Sequence, residues 1–219
     1  MAISNIYLFL EILGTVAFAI SGTVVGMRHG LDVFGVSVLA AITAVGGGIF
    51  RDLLLGNTPP SALKSPFFIT LSIISSIVAM IGATVINKYQ TGLTILKLSR
   101  FYNRLLLISD AIGLGIFTVL GIDAGISKGY IHNEFLIIFL GVLTGVGGGM
   151  LRDIVANQVP MIFRENIYAL PCVIGGLLYV YTYDLFSRDT ALILAVLFIV
   201  IVRIVTEERK WNLPSIGKM

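Results

Sequence analysis

Two copies of one ten-residue pattern hold the residues best suited to chemistry. Thr43-Ala44-Val45-Gly46-Gly47-Gly48-Ile49-Phe50-Arg51-Asp52 recurs as Thr144-Gly145-Val146-Gly147-Gly148-Gly149-Met150-Leu151-Arg152-Asp153 at an offset of 101, and Pro59 recurs as Pro160. At about 1 kcal/mol per glycine relative to alanine, each triplet costs a helix roughly 3 kcal/mol. A chain that accepts this cost twice marks a weak point in two helices. Carbonyls freed by unwinding there would be cation ligands, as in selectivity filters, and in lipid they are tolerated only inside protein or along a water-filled cavity. The plainer reading is that small residues let neighbouring helices approach closely. A P-loop is excluded because no Lys-Ser/Thr follows the glycines.

The Arg51-Asp52 and Arg152-Asp153 pairs end apolar runs, where ionisable groups are expensive and usually functional. Adjacent helical residues do not face each other. Each arginine is therefore expected to pair with another helix at a pathway mouth or to snorkel to the interface. Glu11 and Asp110 correspond at an offset of 99. Acids line cation pathways, although a carboxylate near a helix start is also favoured by the helix dipole. No Ser/His/Asp arrangement, no His-Glu-x-x-His and no metal-ligand spacing around His29 or His132 is present. The chain reads as a non-enzyme without metal or cofactor.

The elements that must position these residues follow from composition. Of 219 residues, 57% are hydrophobic, 24 more are glycine and 12% are charged. A soluble domain carries about 25% charged residues, so a water-soluble globule is excluded, as is disorder. Cys172 has no disulfide partner in the chain. The net charge of +3 is too small to argue for nucleic acid. About 20 apolar residues cross a bilayer as a helix, and seven stretches qualify: Asn5–Met27, Val33–Phe50, Pro66–Ile86, Leu105–Ile122, Phe135–Leu151, Ile167–Phe186 and Ala191–Thr206. Their continuity excludes the alternating pattern of a membrane β-barrel. The first span lacks a basic n-region and contains Glu11, so it is read as a retained helix.

The expected fold is an all-α polytopic membrane protein. Repeat 1 covers 5–90, repeat 2 covers 104–187, the seventh span covers 190–207, and a tail covers 208–219. Three spans per repeat force the second repeat to cross in the opposite sense, giving an inverted pair, and in such proteins matched helix breaks point to the binding or permeation site. With seven spans, Arg51, Lys64, Lys128 and Arg188 lie on the side of the N-terminus. Arg28, Lys88, Lys97, Arg100, Arg104, Arg152, Arg164, Arg203, Arg209, Lys210 and Lys218 lie on the other. Excess Lys and Arg mark the cytoplasm, so the N-terminus is expected outside and the C-terminus inside.

Gly22-x₃-Gly26-x₃-Gly30 and its echo Gly121-x₃-Gly125-x₃-Gly129 line one face of the first and fourth spans, a pattern for close helix packing within or between subunits. Asp123 has no acidic counterpart and reads as an end-of-helix charge. Tyr179, Tyr181, Tyr183 and Trp211 read as interfacial aromatics. The tail reads as a solvated cytoplasmic end, with Arg203 against anionic headgroups.

The doubled Gly-Gly-Gly-x-x-Arg-Asp pattern, with Pro59, Pro160 and seven spans in a 3+3+1 order, resembles the prokaryotic trimeric intracellular cation (TRIC) channel family. That family lies within a wider two-repeat bacterial group in which some members are described as glycine transporters. The resemblance runs to about Thr206. It implies a homotrimer with an hourglass pore in each protomer, permeation of K⁺ and other monovalent cations such as Na⁺, and phospholipid bound at subunit interfaces. It also implies second and fifth helices kinked at Gly46, Gly47, Gly48 and Gly147, Gly148, Gly149, with Thr43 and Thr144 as nearby polar lining. The Lys-Glu-Val motif of animal members is absent, so their lipid or calcium regulation does not transfer. Two functions remain open, a monovalent cation channel and a carrier of a small neutral amino acid such as glycine. A non-transporting scaffold ranks behind both.

Overall fold

In the computed structural model, described for residues 5–89, 95–164, 167–183 and 185–211, the chain is helical. The helices are α1 (Asn5–Arg28), α2 (Val33–Leu54), α3 (Ser61–Lys64), α4 (Phe67–Tyr89), α5 (Ile95–Ser127), α6 (Glu134–Val155), α7 (Met161–Arg164), α8 (Leu170–Thr182) and α9 (Arg188–Glu208). Six of them are long and apolar enough to cross a membrane, while α8 is a shorter apolar helix. The expected Ile167–Phe186 span is therefore helical only in its middle. The expected Leu105–Ile122 span is, conversely, the apolar part of a much longer α5. Residues 212–219 of the expected tail, Lys218 among them, lie outside the described residues.

Equivalent local signals set equivalent helix ends. Gly30 and Gly129 follow α1 and α5 with φ of 69° and 90°, a backbone that glycine adopts without a Cβ clash. The Asp32 carboxylate then accepts from the Gly35 N–H at 2.7 Å, and the Asn133 side chain from the Leu136 N–H at 3.0 Å. Each satisfies a donor that the first turn of α2 or α6 leaves free. Gly30 and Gly129 thus shape turns, and only Gly22, Gly26, Gly121 and Gly125 of the two glycine rows serve packing.

Those four glycines seat α1 on α2 and α5 on α6 inside one chain. A Cβ on Gly22 would lie 2.7 Å from Thr43 Oγ1, and one on Gly121 would lie 2.6 Å from Thr144 Oγ1. One turn further, Gly26 faces Val36 and Gly125 faces Ile137. The halves then meet through reciprocal contacts. Gly14 receives the Phe117 ring and Gly113 receives the Phe18 ring, while the two rings stack on each other at 5.3 Å between centroids. Phe18 and Phe117 correspond by the repeat offset, so the stack sits on a pseudo-two-fold axis, which is the inverted arrangement expected from three spans per repeat. Helix α9 has no counterpart and packs on α5 and α8. The outward surface is apolar, with Phe34 and Phe135 at matched positions among the most exposed side chains.

Candidate permeation site

The two glycine triplets lie where α2 crosses α6. Both helices run through their triplets without interruption, so the expected unwound carbonyls are not found. A Cβ on Gly47 would run into the Thr144 carbonyl, and one on Gly148 would run into the Thr43 carbonyl. A Cβ on Gly147 would lie 3.3 Å from Gly47 Cα, and one on Gly46 would lie 2.5 Å from Leu151 Cδ1. Successive residues on a helix point about 100° apart, so a row of three clears a wide sector instead of one contact point. The third glycines face elsewhere: a Cβ on Gly149 would lie 2.9 Å from Tyr168 Oη and 3.5 Å from Asp110 Oδ1, and one on Gly48 would meet only Arg51 Nη2, at 3.8 Å. Thr43 and Thr144 are buried and donate to the carbonyls of Leu39 and Leu140 at 2.6 and 2.5 Å. Their hydroxyls thus donate within their own helices and lie against Gly22 and Gly121.

Arg152 is fully buried directly below this crossing. Its guanidinium donates to Asp110 Oδ1 at 2.6 Å, to Asp153 Oδ1 at 2.8 Å and to the Ser21 hydroxyl. Tyr168 Oη donates to the other Asp110 oxygen at 2.9 Å, and the Arg203 guanidinium lies 4.8 Å above the Tyr168 ring. A buried charge survives only when paired and hydrogen-bonded, and this cluster meets that requirement from four helices and the segment before α8. Asp153 also accepts from the Met161 N–H at 2.8 Å and from Gln158 at 3.0 Å. It therefore pins the return of the chain into α7.

The first repeat builds a looser version. Arg51 Nε and Nη2 donate to Asp52 Oδ1 at 3.0 and 2.9 Å, and Asp52 Oδ2 accepts from the Ser61 N–H at 2.8 Å, pinning α3 as Asp153 pins α7. Arg51 keeps 12% of its side-chain surface exposed, against none for Arg152. Glu11, the counterpart of Asp110, is only partly buried. Arg152 thus has the expected partners on other helices, Asp110 and Ser21, and each arginine in addition bonds the aspartate that follows it, which adjacent positions on a helix did not predict. The arginine stem is long enough to fold its head back onto the next residue at a helix end.

Other placements also differ from expectation. Asp110 sits mid-way along α5, away from any helix start. Asp123 is buried, accepting from Tyr179 Oη at 2.9 Å and from Arg188 Nε at 2.9 Å. This contact ties α5 to α8 and α9. Tyr179 is accordingly a core residue, not an interfacial one, while Tyr181 remains 62% exposed. Arg203 is buried against Tyr168 and bonds Glu207 at 3.3 Å, so it does not point to headgroups. A cavity of about 300 Å³ opens beside the Arg152 cluster, lined by Arg28, Asp110, Arg164, Arg203 and Glu207 among others. Among the described residues no group of His, Cys, Asp and Glu is placed to hold a metal.

Comparison with known proteins agrees with this geometry. The model of the family described as Glycine transporter matches residues 8–84 and again 107–184, once in each repeat. The inner membrane protein YadS of Escherichia coli K12 is 32% identical over 209 residues, which is 94% of each chain. A prokaryotic TRIC channel structure in 0.5 M KCl is similar at a TM-score of 0.82 and 34% identity, covering 95% of this chain and 98% of that one. A structure reported for conductance through TRIC cation channels gives 0.79 and 36%, covering 96% and 97%. Matched in both halves by the family and along nearly its whole length by these relatives, the chain belongs to the glycine transporter family of membrane proteins and has the fold of the prokaryotic TRIC channels.

Proposed function

We propose that the chain conducts monovalent cations, K⁺ foremost and Na⁺ also, through a pathway inside each protomer of a homotrimer. Its full-length likeness to TRIC cation channels is the observation that carries this reading. The charge clusters support it. Asp110 and Asp153 surround Arg152, and Asp52 lies with Arg51 in the repeat that supplies Glu11, so carboxylates occur in both halves of the pathway. Acidic linings favour cations. The Arg152 cluster closes one end, the Glu11 side forms the other mouth, and α2 and α6 bend at their triplets when the pathway opens. The protein sits in a bacterial or archaeal cell membrane, N-terminus outside, with phospholipid at its subunit interfaces.

A carrier of glycine is the second reading, favoured by the family's description and by clusters that offer both carboxylate and guanidinium groups to a zwitterion. Purified protein in planar bilayers separates the two. Resolved unitary K⁺ currents are expected, with a reversal potential in a KCl gradient that reports cation preference. Silent bilayers combined with saturable glycine uptake into vesicles would establish the carrier instead.

A further inference from the structure

The turn from α5 into α6 carries chemistry that its counterpart in the first repeat lacks. At the offset of 101, His132 and Glu134 stand where Leu31 and Val33 stand between α1 and α2. The end of α8 departs in the same way. It brings Tyr179, Tyr181 and Tyr183, whereas no aromatic residue lies between Phe68 and Tyr89 in α4. The two departures meet in space, where His132, Glu134, Tyr181 and Tyr183 line one cavity of about 330 Å³, with Ile131 and Val180 in its apolar wall. Tyr181 Oη donates to Glu134 Oε2 at 3.4 Å. Tyr183 packs edge-on against Tyr179 at 5.7 Å between centroids, and Tyr179 is itself fixed by Asp123. No lysine or arginine lines the cavity, and Glu134 is exposed. An acid in the first turn of a helix is favoured by the dipole, which accounts for Glu134 alone and not for the rings and imidazole that accompany it.

We propose that this cavity binds a small organic ammonium ion from the outer medium, its charge beside Glu134 and its alkyl groups against Tyr181, Tyr183 and the aliphatic wall. The carboxylate supplies the opposite charge, and aromatic rings attract cations through their negative faces. An alkylated ammonium also gains from covering Ile131 and Val180. Hydrated K⁺ or Na⁺ has no apolar surface to offer, so the mixed lining selects the organic cation. The inference is independent of whether the chain conducts.

The test is saturation-transfer NMR of the full-length protein in maltoside micelles, titrated with choline at constant ionic strength in KCl. Wild type should give saturable transfer to the choline methyl protons. Glu134→Gln should weaken binding about fivefold, the worth of one unit charge at about 4 Å in water, and Tyr181→Ala about two- to fivefold. Glu208→Gln, which removes an exposed acid at the end of α9, should leave it unchanged. The uncharged isostere of choline, with carbon in place of nitrogen, should bind about fivefold more weakly than choline. Absence of saturable transfer in wild type, or unchanged binding in both site variants, overturns the proposal. Equal binding of the isostere would make the cavity a plain apolar crevice and also overturn it. Glycerophosphoethanolamine bound about tenfold more tightly than choline would make the ligand a lipid headgroup, with the same consequence.

Discussion

Arg152, Asp110 and Asp153 are all buried, so removing the arginine strands two carboxylates in the interior. Breaking a buried pair by deleting one partner costs about 3–5 kcal/mol, and Arg152→Met should lower stability by that amount in denaturant titrations of the detergent-solubilised protein. Arg51→Met, whose partner keeps the Ser61 N–H, should cost the smaller amount of charged hydrogen bonds, roughly 1–3 kcal/mol. Equal losses at the two sites would contradict the asymmetry seen here. The sequence marked both arginines through their duplicated setting, yet it concealed what they touch. Asp110 and Ser21 lie 42 and 131 residues from Arg152, and Tyr179 lies 56 from Asp123. Such partners are chosen by packing between helices, which no spacing within one helix reports.

At the scale of the elements, the crossing of α2 and α6 explains why glycines come in threes without any break in the helix. Cost per residue identified the right segments but assigned them the wrong local structure, because a glycine run weakens an isolated helix and also allows two intact ones to touch. The positions within a triplet are therefore not equivalent. Gly47→Ala and Gly148→Ala each drive a methyl into a carbonyl of the other helix, an overpacking worth about 1–3 kcal/mol, and should lower the melting temperature. Gly48→Ala meets only the Arg51 head, at an ordinary van der Waals distance of 3.8 Å, and should be neutral or stabilising by up to about 1 kcal/mol. Melting temperatures of the three variants, read by tryptophan-independent light scattering, check the order. A Gly48→Ala protein as unstable as Gly47→Ala would refute the crossing as described. The six long apolar helices and most of their boundaries were legible from hydropathy, whereas the short α3 and α7 and the turn role of Gly30 and Gly129 were not. The long start of α5 was not, since a span criterion stops counting where charge begins.

For the whole molecule, the lone cysteine is an experimental convenience with a physical basis. Cys172 is fully buried, so a membrane-impermeant maleimide should leave intact cells expressing wild type unlabelled. With the N-terminus outside, Lys64→Cys should label in intact cells and Arg209→Cys only after lysis; the reverse pattern would invert the proposed orientation. The reciprocal seating of Phe18 at Gly113 and Phe117 at Gly14 reaches further than packing. A surface in which knob and socket both come from one half is complementary to a second copy of that half turned over. A three-helix fragment equipped with it would need no fused partner: inserted in both directions, it would find its mate in its own mirror-directed siblings. The present chain then reads as two such fragments joined, with α9 added to one side and the freedom to diverge, which the tight Arg152 cluster and the looser Arg51 cluster already display.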